Sequence, residues 1–155
     1  MAILPITAGY YEGYYSEPIE DYIEASTQTY KKGALMVFSS GKVAENGNAN
    51  PTADSIGFST HAFQGVDKQV KIAVAAPGTV FEGTFSNAGT PVAVAQTDVG
   101  VAHGVNRDGS TGLWYVDKAD TNGTFVRIVA IKDPIGTLDA RVYFKVLQTN
   151  SVFNQ

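Results

Sequence analysis

Residues Thr124–Leu147 read TFVRIVAIKDPIGTLDARVYFKVL. In the second half Val142, Phe144 and Val146 alternate with Arg141, Tyr143 and Lys145, the period-2 pattern of a sheet with one buried face. In the first half Val126, Ile128 and Ala130 share a face, while Val129 and Ile131 lie beside Arg127 on the other. A strand with apolar residues on both faces belongs inside a sheet rather than at its edge. Asp133-Pro134-Ile135-Gly136 lies between them. Proline presets φ and glycine accepts a positive φ, so the spacing predicts two strands around a tight turn.

Outward from this pair the chain repeats the theme. Strands are expected at Ala34–Ser39, Ile56–Thr60, Gln69–Ala75, Thr79–Phe85 and Leu113–Asp117, with a short apolar run at Val92–Ala95. Turn chemistry separates them at Ser40-Gly41, Pro77-Gly78, Asn106–Gly112 and Lys118–Gly123. Val43–Asp54 reads as a polar loop or hairpin tip turning at Asn46-Gly47, and Thr97–Gly104 as at most one helical turn capped by Thr97 or Asp98. Strand-sized runs broken every 8–12 residues, without a long helix, predict an all-β fold: one small antiparallel β-barrel or β-sandwich domain.

Composition narrows the function. The 155 residues suit one compact domain with a sizeable core, being 44% hydrophobic and 17% charged. A net charge of −4 without any basic run argues against nucleic acid as a partner. No run approaches 18 apolar residues and the first fifteen lack a basic n-region, so neither a membrane span nor a signal peptide is expected. The chain has no cysteine, which removes disulfides and thiolate chemistry. His61 and His103, the two histidines, have no metal-type partner at a helical or hairpin spacing. There is no G-x-S-x-G elbow and no glycine-rich phosphate loop. Glu17, Glu20, Asp21 and Glu24 lack the pattern of a calcium loop and read as a solvated acidic face. No catalytic residue, cofactor site or metal site is therefore assigned, and the chain is not expected to be an enzyme.

Residues 1–30 differ from the rest, holding six of the eight tyrosines. Neither sheet nor helix period is sustained there, although Ile19, Tyr22 and Ile23 would fit one helical turn. The segment reads as an extended arm before a 31–148 β domain and a polar 149–155 tail; the plainer alternative is a first strand of the domain. Tyrosine offers a large apolar area with a hydrogen-bonding tip and suits interfaces. Tyr10, Tyr11, Tyr14, Tyr15 and Tyr22 are accordingly the candidate partner-binding residues.

From Trp114 onward the chain resembles the C-terminal part of small head proteins of tailed bacteriophages. The resemblance rests on a W-x-VDK-type segment (Trp114, Val116, Asp117, Lys118) followed by an R-I-V-x-x-x-DP-x-G-x-x-x-x-R-V-x-F hairpin. The hairpin positions are Arg127, Ile128, Val129, Asp133, Pro134, Gly136, Arg141, Val142 and Phe144. Weaker likeness at Val80–Phe85 and Asp98–Gly104 extends it over roughly residues 55–147, and residues 1–30 lie outside it. It implies a capsid decoration, or cement, protein: a β-rich virion component made in the host bacterial cytoplasm. Such a protein binds the outer capsid surface, often as a trimer, and stabilises the head by bridging major capsid protein subunits. The competing expectation is a host-recognition or carbohydrate-binding head-fibre module using Trp114, Tyr115 and Tyr143 as exposed aromatics.

Overall fold

A computed structural model describes residues 3–9, 19–47 and 55–153. The fold is all-β, as the strand spacing predicts, and consists of two sheets sharing one core. The first contains β1 (Thr7–Ala8), β7 (Phe81–Ser86), β8 (Ala102–Arg107), β9 (Trp114–Asp117), β10 (Val126–Ile131) and β11 (Arg141–Val146). Its pairing is circular. β7 is hydrogen-bonded to β11, β11 to β10, β10 to β8, β8 to β9, and β9 returns to β7 as a parallel pair, Phe85 opposite Val116. This closes a five-stranded barrel, with β1 paired to the Phe81–Glu82 part of β7 and β9 to its Phe85–Ser86 part.

The second sheet runs in the order β2 (Ile19–Ile23), β6 (Gln69–Val74), β5 (Ser55–Ser59), β3 (Leu35–Ser39), β4 (Lys42–Glu45). Its two ends approach through a single parallel bridge between Glu24 and Val43. The β3–β4 hairpin turns on Ser40 and Gly41, both at positive φ (51° and 79°), the geometry whose twist matches the flanking strands.

Aromatic rings join the two sheets. Phe58 of β5 meets Phe81 of β7 at 4.9 Å and Phe144 of β11 at 6.0 Å, edge to face, while Phe81 and Phe144 stack at 5.8 Å. All three are buried. A second tie is polar: the buried Trp114 indole donates to Glu45 Oε1 (2.9 Å), and Arg107 Nε lies 3.5 Å from the same oxygen.

The central pair forms as its periodicity requires. Val126, Ile128, Ala130, Val142 and Phe144 are buried, and β10 lies between β8 and β11. A bulge between Ile128 and Ala130 places Val129 at the irregularity, which accounts for apolar residues on both faces. The connection is not a tight turn, however. Residues 132–140 form a broad loop fastened to the 92–94 strip: Gly136 N donates to Val94 O (2.8 Å), Val94 N to Thr137 O (3.2 Å) and Asp139 N to Val92 O (3.1 Å). Asp133 Oδ2 accepts from Arg141 N (2.7 Å) and closes the loop's base.

Three other expectations are corrected. Lys42–Glu45, which overlaps the start of the supposed Val43–Asp54 loop, is a strand, because Val43 is buried opposite Phe38. Ala102–Arg107 is a strand rather than the end of a helical turn; the turn itself is a 3₁₀ segment, Gln96–Asp98, with Asp98 Oδ2 accepting from Ala95 N (2.8 Å). The chain ends are not appendages among the described residues. Ile6 is fully buried, Leu4 N donates to Thr84 Oγ1 (3.0 Å), and β1 pairs with β7. Residues 5 and 6 pass so close over Gly33 that a Cβ there would lie 2.5 Å from Ile6 N. Ile19–Ile23 pairs with β6 along its whole length, and Tyr30 is in the core. At the other end Ser151 is buried, bridges Ser55, and donates its hydroxyl to Ala75 O (2.7 Å). The plainer reading, strands of the domain, thus describes Thr7–Ala8 and residues 19–24, where the backbone has found sheet partners.

Candidate interaction surface

Tyr22 is the one proposed contact among the described residues; Tyr10, Tyr11, Tyr14 and Tyr15 lie outside them. Tyr22 sits on β2, half-buried, with its ring edge-on to Phe38 at 5.7 Å. Burial, and next the nearby Glu20 carboxylate, push its hydroxyl pKa upward. Phe38 is itself 47% exposed, and Ile23 and Val66 are also exposed. Val66 is held at the same end of β2 by the Asp67 N to Glu24 O bond (3.2 Å).

The acidic set of residues 17–24 divides. Asp21 is a surface partner of Lys71 (3.0 Å). Glu24 is fully buried and accepts from the Tyr30 hydroxyl, Gln64 N (3.0 Å) and Gly65 N (2.9 Å). It is a structural acceptor that fastens the 61–68 loop, because a buried carboxylate must have its lone pairs filled. Glu82 similarly lies between Lys132 (2.8 Å) and Arg141 (2.6 Å). Among the described residues no group of three or more His, Asp or Glu side chains could hold a metal ion. His61 is exposed on a loop and His103 is buried in the barrel, on different elements.

The 132–140 loop carries a second surface that periodicity did not single out. Ile135 is 60% and Leu138 52% exposed, the two highest values among the large apolar side chains of the described residues. They project from a backbone anchored by the bonds to Val92 and Val94 and by the Ala93–Leu138 bridge. Ile135 also borders a groove of about 430 Å³ whose other walls include Gln96, Val99, Val129 and Pro134. A backbone anchored in this way has already met part of the ordering cost of a contact made by its apolar tips. The sequence signal for this loop was the D-P-x-G motif, which reads as turn chemistry until the loop's anchoring is seen.

Of the aromatic set of the head-fibre alternative, Trp114 and Tyr115 are 1% and 5% exposed, Trp114 being bonded to Glu45 as well, whereas Tyr143 on β11 is partly exposed. Among the described residues no helix is long and apolar enough to cross a membrane. Compared with protein-family models, curated proteins and solved structures, the chain matches none.

Proposed function

We propose that this chain is a non-enzymatic virion protein that binds the outer surface of a tailed-phage capsid and stabilises the head by bridging major capsid subunits. The observation that carries the proposal is the anchored 132–140 loop, which holds Ile135 and Leu138 in solvent on a fixed backbone. It coincides with the D-P-x-G segment on which the resemblance to decoration proteins rests. A protein that cements a seam needs such fixed apolar contacts and no catalytic pocket. The tyrosines at 10, 11, 14 and 15, with Tyr22, supply a second contact, to the capsid or to neighbouring copies in a trimer.

The test is co-sedimentation with expanded capsids. Burying two aliphatic side chains contributes about 1.5–3 kcal/mol each, so an Ile135→Ser/Leu138→Ser double variant weakens attachment by about a hundredfold or more. Its melting temperature stays near that of the parent, because both residues are solvent-exposed. A Tyr10/Tyr11/Tyr14/Tyr15→Ser variant probes the second contact without removing β1, which truncation of the first sixteen residues would do. Undiminished binding by both variants, or binding to a glycan panel and not to capsids, overturns the proposal.

A further inference from the structure

The interior of the first barrel contains a histidine. His103, on β8, is 3% exposed, and among the described residues neither Nδ1 nor Nε2 has a hydrogen-bond partner. Its ring meets the buried Phe85 ring edge to face at 5.2 Å. On the β10 side its cross-strand neighbour is Val126, also buried. A neutral imidazole fits this apolar setting, whereas an imidazolium would present two donors without an acceptor.

The charged groups that act on it electrostatically come from three places. From the 3₁₀ turn comes Asp98, whose carboxylate accepts from Ala95 N (2.8 Å) and pairs with Lys118 (3.2 Å). From the end of β9 comes Asp117, engaged by Ala88 N (2.9 Å), Asn106 Nδ2 (2.5 Å) and Ala119 N (2.9 Å). From the following turn come Asp120, which accepts from Gly123 N (2.9 Å), and Lys118, whose ammonium lies 5.5 Å from the Phe85 ring centre. β7 contributes the uncharged Phe85. Asp117 is locked by three donors, while Asp98 shares its charge with a lysine side chain that is 32% exposed. Of these two, Asp98 has the more readily exchanged partner, because the Lys118 ammonium can turn out to water.

We propose that His103 is an acid-operated latch on this end of the barrel. When the ring takes a second proton it draws the Asp98 carboxylate from Lys118, and the turn that Asp98 organises loosens. That turn is tied to β10 through Gly100, whose N–H donates to Ile128 O (2.8 Å) and whose carbonyl accepts from Arg127 Nη1 (2.7 Å). Protonation thus reaches the barrel wall and the groove beside Ile135, which Gln96 and Val99 also line. Burial holds the His103 pKa below the ordinary histidine value, and Asp98 only partly opposes it. The latch is consequently closed at neutral pH and opens in mild acid.

The test uses the full chain and does not depend on capsid binding. Histidine-ring NMR of the parent protein is followed from pH 8 to 4.5, with His61→Ala used to assign the two rings. The Gly100 amide is monitored by hydrogen exchange, corrected for the intrinsic pH dependence. The expected result is a His103 midpoint below the ordinary value of about 6.5, with Gly100 protection falling by about tenfold or more across that same midpoint. His103→Phe, or His103→Leu if the larger ring is not accepted, abolishes the acid-linked loss of protection. A His103 midpoint at or above the ordinary value, or protection that stays constant while the ring titrates, overturns the proposal. If neither variant folds, the titration of the parent protein alone decides.

Discussion

Glu24 offers the sharpest test of how the second sheet is held. Its carboxylate is fully buried and is the acceptor for the Tyr30 hydroxyl and the amides of Gln64 and Gly65. Glu24→Ala leaves all three donors without it. A buried donor stripped of its partner costs about 1–3 kcal/mol. The Tyr30 hydroxyl bears that in full, because its residue is 2% exposed. The two loop amides can reach water once the loop moves, so they bear only part. The expected loss is about 3–5 kcal/mol, against about 5–15 kcal/mol for a whole domain. Tyr30→Phe, which removes one donor and leaves the acceptor otherwise filled, is expected to cost about 1–2 kcal/mol. Urea unfolding followed by tryptophan fluorescence gives each value, with the slope checked for constancy. In the double variant the two effects must fall short of additivity by about 1 kcal/mol, because the pair is in direct contact. A Glu24→Ala loss below about 1 kcal/mol, or strict additivity, would show that the carboxylate is not what secures the 61–68 loop.

Phe144→Ala removes the ring shared by Phe58 and Phe81, and should cost about 3–5 kcal/mol; a variant that keeps parental urea resistance would mean the two sheets are held elsewhere. Gly33→Ala forces a side chain against the Ile6 backbone and onto a φ of 83°, so the melting temperature should fall by several degrees or more, and an unchanged value would refute the close crossing of residues 5 and 6. Absorbance titration of the tyrosines should show Tyr115 ionising late, since burial, then Asp117 and Asp108, push its pKa up to about 12. Tyr30 is pushed higher still, by burial first and then by Glu24. Both pKa values are raised on folding, so this stability is intact below the unfolded value of about 10 and is lost as pH rises beyond it. Eight tyrosines ionising together near pH 10, with the protein still folded, would contradict the burial.

The strands that sequence made legible are those whose burial is one-sided or complete. Val142, Phe144 and Val146 announce β11, and Val70, Ile72 and Val74 announce β6. β8 was missed because AHGVNR carries a glycine, a histidine and two polar residues; it is a strand through barrel closure, a constraint that no local window contains. β2 was misjudged for a different reason. Ile19, Tyr22 and Ile23 fit a helical spacing, yet the face that matters is Glu20, Tyr22 and Glu24, opposite Ile72, Val70 and the bridge to Val43. A buried glutamate inverts the hydrophobic pattern, and only its three donors make that tolerable. The anchored loop was invisible because its fastening strip at residues 92–94 lies about forty residues away in the chain.

The parallel return of β9 to β7 has a consequence for how the chain assembles. An antiparallel neighbour can form by folding a hairpin back on itself, whereas a parallel one must wait for a long segment to swing round. Here Phe85 meets Val116 only after the intervening β8 has been made, and β7 still lacks β11 on its other side. Thr7–Ala8 has Glu82 and Phe81 as its partners, and those residues of β7 pair on their other side with Tyr143 and Phe144 of β11. β1 is thus expected to dock only after β7 and β11 have paired. Refolding is expected to be slow for a domain of this size, with the N-terminal strand docking in the final step.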